Sequence, residues 1–406
     1  MKVGIFVGEL PESGGSYTFE SELFHSLVKC GAGSGHTFVL YSWNQQPPPE
    51  ISSVQHIQFV SLHRSLKERF RAKLSRTRTT FLQKLRNPRI NFQKEDLYQK
   101  FILDSLVSCG IEITWSLTPG CLTMELPFIT TVWDLQHRLQ PYFPEVGTQE
   151  QWNKREQFYT TLLKRASFII AGTEAGKSEI ERFYQVPAER IKLLPLPTPQ
   201  FALNAPRYQE ENFLDKYNIP NNYLFYPAQF WSHKNHVNLL LAVKSLRDKY
   251  DLVFPVVFVG SDKGNQPYIK QLVAELDLTE HVTFLGFVPQ EDLISLYRNA
   301  FALTFVSFFG PDNLPPLEAF ALGCPVVYSE VSGAKEQIGD AALLVNPKKP
   351  EEIALAIKSL WDDKALRQIF VERGLARASK WTGEDYVKGV FSILDEFEAI
   401  RRCWTS

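Results

Sequence analysis

Short apolar runs alternate with longer helical patterns along most of the chain, and this alternation limits the available folds more than any other feature. The first apolar run, residues 3–8, leads through Gly14 and Gly15 into a helical pattern. From residue 223 the alternation starts a second time. Strands that alternate with helices of about 10–15 residues predict a parallel sheet covered by helices on both faces.

A proline-rich stretch at 193–199 (Leu-Leu-Pro-Leu-Pro-Thr-Pro) separates the two series and is predicted to be a linker, because its prolines prevent a helix. We therefore expect an α/β fold with two Rossmann-like domains, 1–196 and 197–382, that face each other across a deep cleft. After residue 351 the patterns are helical. The predicted strands are 3–8, 36–43, 57–62, 111–117, 128–133, 167–171, 223–227, 253–260, 282–285, 301–306, 325–328 and 343–345.

Composition excludes several classes of protein. The 406 residues are 44% hydrophobic and 22% charged, which is typical of globular proteins and not of long disordered chains. A net charge of −1 argues against a nucleic-acid-binding polycation. The five cysteines form no CxxC pair, so neither a zinc site nor a disulfide framework is indicated. Without a signal-peptide pattern or an apolar window of about 18 residues, we expect a cytoplasmic enzyme.

Two candidate sites lie in the first half of the chain. Gly14 and Gly15 follow a predicted strand, where glycine lets the backbone approach a ligand, although an ordinary strand–helix turn also uses glycine. The pair is not a GxGxxG motif, so a dinucleotide oxidoreductase lacks its main support. Asp134 and His137 end another predicted strand, where they can face a cleft and polarise a hydroxyl. The alternative is that Asp134 caps a helix and His137 lies on the surface.

Two more candidate sites follow strands of the second half. Lys234 directly precedes a helical pattern, a position suited to gripping a phosphate. His233 and His236 flank it, but no third ligand stands at metal spacing. At 310–327 a polar turn opens a short helix, so the backbone N–H groups of Asn313 and Leu314 are expected to meet a diphosphate. Glu318 lies one turn further, where a carboxylate accepts hydrogen bonds from two ribose hydroxyls; its apolar flanks disfavour an exposed helical glutamate.

A basic stretch at 64–89 carries ten Lys and Arg residues against one acid, Glu68. Interspersed leucines and phenylalanines fit an amphipathic element that touches anionic lipid or a lipid diphosphate. A solvated helical insertion is the alternative. Nucleic acid is disfavoured because no stacking motif accompanies the charge.

Taken together, these motifs resemble glycosyltransferase family 4, the large retaining family with the GT-B fold. The resemblance covers essentially the whole chain and is strongest at 223–346. It rests on His233-Lys234-Asn235, the Leu-Gly-Phe-Val turn at 285–288, the block 313–327, and the turn at 333–338 followed by 343–347. Asp134 to His137 and the Gly14-Gly15 pair also match.

The resemblance implies transfer of a sugar from a nucleoside-diphosphate donor with retention at the anomeric carbon. The second domain is expected to hold the donor and the first domain the acceptor, and a last helix at about 383–406 is expected to cross back to the first domain. Lys234 resembles the family's donor-phosphate lysine, and Glu318 resembles its ribose-binding glutamate. The expected catalytic residues are Asp134, His137, Lys234 and Glu318. The expected donor-binding residues are Gly14, Gly15, Gln229, Lys234, Gly260, Phe287, Val288, Asp312, Asn313, Leu314 and Glu318.

Three positions depart from the family pattern. Gly310 stands where the first acid of the paired-glutamate motif is expected, Gln229 is nearest to the position of an arginine, and Trp133 replaces a histidine. With Gly310 in place of an acid, Asp312 or backbone groups are expected to shape the sugar pocket. No DxD motif occurs, so neither a metal nor another cofactor is expected.

The expected function is thus a metal-independent hexosyltransferase of polysaccharide biosynthesis, with mannose or glucose as the sugar and a glycan or lipid-linked hydroxyl as the acceptor. Its partners would be these two substrates and not nucleic acid, and 64–89 would add peripheral contact at the inner face of the membrane. Two alternatives remain: a nucleotide-sugar epimerase on the same fold, and a non-catalytic scaffold that binds nucleotide sugars.

Overall fold

The computed structural model describes residues 1–7, 14–51, 54–63, 92–206 and 213–404. The basic stretch at 64–89 lies outside the described residues, so the proposed membrane contact stays a prediction. Within the described ranges, no helix combines the length and apolar composition that crossing a bilayer requires.

The first sheet has seven strands in the order β3-β2-β1-β4-β5-β6-β7. The pairs from β3 to β5 along that order are parallel. The strands are β1 (Lys2–Phe6), β2 (Thr37–Ser42), β3 (Ile57–Ser61), β4 (Ile113–Ser116), β5 (Phe128–Val132), β6 (Phe168–Ala171) and β7 (Ile191–Leu193).

The second sheet has six strands in the order β10-β9-β8-β11-β12-β13, and all of its pairs are parallel. Apolar side chains fill both of its faces; Phe225, Val257 and Leu303 are among those with no exposed surface. The strands are β8 (Leu224–Pro227), β9 (Val256–Val259), β10 (Val282–Gly286), β11 (Ala302–Phe305), β12 (Val326–Ser329) and β13 (Leu343–Val345).

Helices connect the strands. Up to residue 217 they are α1 (Gly15–Cys30), α2 (Phe92–Ser108), α3 (Gln136–Leu139), α4 (Pro144–Gly147), α5 (Gln149–Arg165), α6 (Glu174–Tyr184), α7 (Gln200–Leu203) and α8 (Phe213–Tyr217). After it they are α9 (His236–Tyr250), α10 (Gln266–Glu275), α11 (Gln290–Asn299), α12 (Leu314–Ala321), α13 (Ala334–Ile338), α14 (Pro350–Asp362), α15 (Lys364–Ala378) and α16 (Gly383–Arg401).

The chain forms two compact units. The first comprises Met1–Thr131, Leu162–Ile170 and Val387–Ser406, and the second comprises Val132–Thr161 and Ala171–Tyr386. Segments on both sides of residue 196 thus contribute to the second unit, while most of the last helix belongs to the first. The domain boundaries expected from the sequence stay a prediction.

The expected α/β architecture with two Rossmann-like sheets is confirmed, and each predicted strand has a counterpart in them. Two local predictions are wrong. Leu193 belongs to β7 and not to a linker, and the turn expected at 333–338 contains a helix, Ala334–Ile338. Both elements are short, and the sequence of β7 gave no alternation to detect because it spans three residues.

Candidate functional site

The second sheet changes direction between β8 and β11. From β8 the chain adds β9 and β10 on one side, then returns to place β11 against the other side of β8. In open parallel sheets, ligands bind beyond the carboxyl ends of the strands at such a switch point. The loop after β8 carries Lys234 and the loop after β11 carries Asn313. The strand order therefore predicts that a ligand binds at these two loops.

Lys234 and Asn313 lie close together, although 79 residues separate them in the sequence. The ammonium Nζ of Lys234 is 3.4 Å from Asn313 Oδ1 and 5.1 Å from the centroid of the Phe305 ring. Burial lowers the pKa of Lys234 to about 8, while the negative charges of Asp134 and Glu145 oppose the decrease. The lysine is therefore mostly charged at neutral pH, in surroundings where a bound anion would stabilise it further.

The backbone around Lys234 is held by side chains from neighbouring strands and loops. The Tyr226 hydroxyl donates a hydrogen bond to the Lys234 carbonyl. Asn235 adopts a left-handed conformation with φ 57°, and its amide donates to the Val306 and Pro347 carbonyls at 2.8 Å each. These contacts fix the direction in which the Lys234 side chain leaves the loop.

His233 has a partner that sequence reasoning missed. Glu145 Oε1 accepts a hydrogen bond of 3.1 Å from the His233 backbone N–H and also contacts the ring nitrogen Nδ1. Burial lowers the pKa of His233, and the hydrogen bonds from His233 hold the pKa of Glu145 below its ordinary value although burial opposes this. The pair is thus a neutral imidazole against a carboxylate. No sequence motif connects residues 88 positions apart, so only the fold shows the contact.

His236 plays a different part. It is fully buried and stacks on Phe230 with ring centroids 4.4 Å apart. Burial lowers its pKa to about 3, which is the behaviour of a core histidine.

The turn before α12 does not present all the donors expected of it. The Asn313 N–H donates to Gln337 Oε1 at 3.0 Å, so it is engaged within the protein and is not offered to a ligand. Gln337 returns the contact by donating to the Asn313 carbonyl at 2.8 Å. Pro315 and Pro316 in the first turn of α12 carry no N–H. Of the two predicted backbone donors, Leu314 remains the candidate.

Glu318 is buried, as its apolar flanks predicted, with 7% of its surface exposed. Its Oε2 accepts a hydrogen bond of 2.6 Å from the Tyr297 hydroxyl. Burial raises the pKa of Glu318 to about 7, and the tyrosine hydrogen bond limits the increase. A hydroxyl-bearing ligand that donated to this carboxylate would favour its ionised form.

Asp312 is a second carboxyl group with a raised pKa. Burial and the negative charges of Asp134 and Glu336 raise it to about 7. Its side chain lies directly over Gly172, because a Cβ placed on that glycine would come within 1.8 Å of Asp312 Oδ2. The glycine after β6 therefore makes room for the Asp312 carboxyl group.

Asp134 and His137 have separate surroundings. Asp134 Oδ1 accepts hydrogen bonds from the Gln136 N–H at 2.9 Å and from Arg155 Nη2 at 2.5 Å. The first contact lies just before α3, but the N-cap of α3 is Leu135 and no side chain caps it, so the helix-capping alternative for Asp134 is not met. The second contact is an ion pair, so the Asp134 carboxylate lies against the positive charge of Arg155.

His137 is completely buried, so the alternative that it lies on the surface is wrong. Its Nε2 lies 3.2 Å from Glu156 Oε2 and 3.1 Å from the Tyr184 hydroxyl, and its ring stacks on Tyr159. Burial lowers the pKa of His137, and the positive charge of Arg155 adds to the effect. These contacts hold the ring in place, while its Nδ1 has no hydrogen-bond partner in the described structure, so a catalytic role for His137 stays a prediction.

The remaining donor-binding candidates of the second unit lie after β8, β9 and β10. Gln229 Oε1 accepts a hydrogen bond of 3.0 Å from the Trp231 indole. Gly260 has φ 148°, and a Cβ there would come within 2.4 Å of the Ala228 carbonyl oxygen, so close backbone packing explains this glycine. Phe287 is 68% exposed whereas Val288 is buried.

Gly14 and Gly15 belong to the first unit, and both are exposed. Gly14 has φ 104°, a conformation that favours glycine, and α1 begins at the next residue. The predicted strand–glycine–helix order is thus present, and a role for the pair in binding a donor stays a prediction.

A cavity of about 740 Å³ lies in the second unit beside Gly310. Its wall combines aromatic rings, among them Tyr142, Phe308 and Phe309, with polar and charged groups. Burial raises the pKa of Glu179, one of its lining residues, to about 7. Aromatic rings combined with a few polar groups are typical of small-molecule sites. This wall could not be predicted from the sequence, because its residues come from five separate segments: 139–142, 175–182, 308–311, 330–332 and 346–348.

The segment that carries the switch-point residues has a match among known families. Residues 209–377 match the family model of glycosyl transferases group 1. Lys234, Asn313 and Glu318 all fall within the matched segment.

A similar protein of known family type is a mannosyltransferase. The O-antigen chain mannosyltransferase B of Escherichia coli is 30% identical over 245 residues, which are 60% of this chain and 64% of the relative. The chain thus spans a little under two-thirds of that relative's length. The family match and this relative support the expectation of a glycosyltransferase enzyme.

Solved structures extend the likeness to nearly the whole chain. Sucrose-phosphate synthase from Thermosynechococcus elongatus has a TM-score of 0.71 at 18% identity, over 98% of this chain and 99% of that one. Anabaena Alr3699/HepE in complex with UDP-glucose has a TM-score of 0.63 at 16% identity, over 98% of this chain and all of that one. At such identities the likeness establishes the fold alone. It confirms the expected α/β architecture of the GT-B class.

Proposed function

We propose that this protein is a glycosyltransferase that moves a hexose from a nucleoside-diphosphate sugar to a hydroxyl group of a glycan or lipid-linked acceptor. The observation that carries the proposal is the 3.4 Å approach of Lys234 Nζ to Asn313 Oδ1 at the switch point of the second sheet. It joins a cationic side chain to the turn that opens α12, within the segment matched by the group 1 model. A diphosphate needs such a combination of charge and polar groups.

In this proposal Lys234 stabilises the charge that develops on the departing nucleoside diphosphate. A fixed ammonium next to the leaving group binds the anionic diphosphate of the donor and stabilises it further as charge accumulates. Removal of one such group typically costs about a hundredfold or more in rate. Glu318 holds the ribose hydroxyls. Its raised pKa of about 7 fits a carboxyl group whose ionised form is completed by a ligand.

The transferred sugar in the proposal is mannose, with glucose as the next candidate. The support is the description of the Escherichia coli relative as an O-antigen chain mannosyltransferase, and O-antigen synthesis also suggests a polysaccharide acceptor. Because the Anabaena structure contains UDP-glucose, uridine and glucose donors are also tested.

The proposed stereochemical course is retention. The leaving phosphate oxygen takes the proton from the acceptor hydroxyl on the face that the leaving group vacates, and the new glycosidic bond forms there as the old one breaks. The one-bond coupling constant between the anomeric carbon and its proton, measured by NMR on the first product formed, gives the anomeric configuration for mannose and glucose alike and so decides between retention and inversion. The reaction is also proposed to need no metal ion, so EDTA at millimolar concentration should leave the transfer rate unchanged.

The test combines binding with transfer. GDP-mannose, UDP-glucose and related nucleotide sugars are titrated against the wild type, Lys234→Met and the control Lys244→Met, whose lysine forms a surface ion pair with Asp248. A ligand at one hundred times its Kd should stabilise the protein by about 2.7 kcal/mol, a shift readily seen in Tm.

We expect one donor to stabilise the wild type and the Lys244→Met control and to be hydrolysed slowly without acceptor. With Lys234→Met the stabilisation and the hydrolysis should both be much smaller. Binding without hydrolysis or transfer, even with glycan extracts, would support a non-catalytic scaffold. Conversion of the donor sugar to its epimer without acceptor would support an epimerase. The absence of binding by any nucleotide sugar would overturn the proposal.

A further inference from the structure

Glu145 is a buried carboxylate whose hydrogen-bonding partners lie in the Lys234 loop. It stands on the short helix Pro144–Gly147, and 7% of its side chain is exposed. Its Oε1 accepts the His233 backbone N–H at 3.1 Å and contacts the ring nitrogen Nδ1 of the same residue. Burying a carboxylate costs several kcal/mol unless hydrogen bonds and opposite charge offset the loss of water. The hydrogen bonds from His233 in this loop therefore stabilise the ionised form of Glu145.

His233 is also held on its other side. Its carbonyl oxygen accepts a hydrogen bond of 3.2 Å from the Ser307 hydroxyl and one of 2.8 Å from the Phe308 N–H. With Glu145 on its N–H and ring, and the loop after β11 on its carbonyl, His233 has little freedom to rotate. Lys234 is the next residue along the chain, so the direction of its side chain is tied to these contacts.

The two anchors differ in kind. Ser307 and Phe308 directly follow β11 and belong to the loop that also carries Asn313. Glu145 comes from a separate segment, and it also contributes a negative charge that favours the ammonium form of Lys234. A hydrogen bond to an ionised acceptor is about twice as strong as a neutral one. The Glu145 carboxylate therefore both holds the loop through His233 and provides a negative charge that favours the ammonium form of Lys234.

We propose that Glu145 is a positioning residue for Lys234, which holds His233 so that the ammonium stays aimed at the diphosphate of the bound nucleotide. The inference rests on the proposed function, since it assigns that diphosphate to Lys234. Glu145 acts through the loop and does not itself touch the nucleotide. Nothing in the local sequence around residue 145 marks it for this role.

The test is a double-mutant cycle on nucleotide affinity. The variants are Glu145→Gln, Glu145→Ala, Lys234→Met and the two double variants, and the probes are UDP and GDP, titrated calorimetrically up to millimolar concentration. Loss of a charge-assisted hydrogen bond should raise the Kd about tenfold for Glu145→Ala. Glu145→Gln keeps an oxygen acceptor but not the charge, so its Kd should lie between those of the wild type and Glu145→Ala.

The decisive measurement is the same change in the Lys234→Met background. If Glu145 acts through Lys234, substituting Glu145 has no further effect on Kd in the Lys234→Met background. Glu145→Ala and Lys234→Met each weaken binding when introduced alone. A purely structural role would lower Tm and raise Kd by the same factor in both backgrounds, and that result would overturn the inference. Wild-type affinity in both Glu145 variants would overturn it as well.

The cycle separates this inference from the proposed function. If the wild type binds neither UDP nor GDP, both are overturned together. If the wild type binds one of them and Lys234→Met does not weaken it, the assignment of the diphosphate to Lys234 is wrong, and the role of Glu145 with it. Binding that depends on Lys234 but not on Glu145 leaves the proposed function intact and removes the inference alone.

Discussion

The Tyr297 hydroxyl donates a 2.6 Å hydrogen bond to Glu318 Oε2, and both side chains are buried in the second unit. Tyr297 stands on α11 and Glu318 on α12. Burial raises the pKa of Glu318 to about 7, so near neutral pH the carboxyl group is divided between its protonated and ionised forms. A group in this state costs stability when it is ionised without a ligand, and it is well suited to receive hydroxyl donors.

Glu318→Gln should therefore stabilise the protein above neutral pH. The pKa of Glu318 is raised from an ordinary value of 4.5 to about 7 in the folded protein, so the folded state binds more protons between these values. The contribution of this group to stability is thus present at low pH and is lost as the pH rises through 7. Thermal unfolding at pH 5 and pH 8 should show a gain in Tm for Glu318→Gln that is larger at pH 8. The exposed Glu280→Gln is the control, and an equal difference at both pH values would contradict the prediction.

Tyr297→Phe should have the opposite effect on stability. The substitution removes the hydroxyl that donates to Glu318 and leaves a buried carboxyl group without that donor. An unsatisfied buried polar group costs about 1–3 kcal/mol, and the cost is greater for an ionised one. Urea unfolding should show a lower free energy of unfolding for the variant, with a larger loss at pH 8 than at pH 5. Combining it with Glu318→Gln should reduce that pH dependence.

The sequence predicted the framework of the fold because each of its signals is local. A buried parallel strand is a short apolar run, and a turn that needs positive φ is marked by glycine, as at Gly14. Lys234 and Asn313 were recognised for the same reason, since each lies in the loop between a strand and the helix that follows it. Their nearness follows from strand order: β8 and β11 are neighbours at the switch point.

The contacts that complete the site were beyond sequence reasoning because they join positions with no common pattern. Glu145 reaches His233 across 88 residues, and Gln337 takes the Asn313 N–H across 24. His137 was expected at a strand tip facing a ligand, yet packing against Tyr159 and Glu156 buries it. Whether a polar residue at a strand end points into a site or into the core depends on the helices that cover it, and their packing is a tertiary property.

Gly172→Ala should disturb the position of Asp312. The added Cβ would come within 1.8 Å of Asp312 Oδ2, so the carboxyl group has to move. Overpacking of this kind costs about 1–3 kcal/mol. We expect a lower free energy of unfolding in urea and weaker binding of the donor. The double variant Gly172→Ala with Asp312→Ala should recover stability, because the clash is then absent. A double variant that is no more stable than the sum of the single changes would contradict this account.

Lys234→Met should raise Tm at neutral pH while it weakens donor binding. Burial lowers the pKa of Lys234 from 10.5 to about 8, so between these values the unfolded chain binds more protons than the folded protein. The charged lysine therefore destabilises the fold near pH 7, and the penalty diminishes as the pH rises from 8 towards 10. The gain in Tm on substitution should diminish over the same range, whereas Lys244→Met should show no such trend.

The same titration limits activity in the opposite direction. Stabilisation of a leaving diphosphate needs the ammonium form of Lys234, which is lost as the pH rises above about 8 in the free enzyme. The value of kcat/KM for the donor should therefore decrease above pH 8 and approach a tenfold loss per pH unit. A profile measured from pH 6.5 to 9.5 at constant ionic strength tests this. A value of kcat/KM that stays level to pH 9.5 would show that Lys234 is not the group on which donor capture depends.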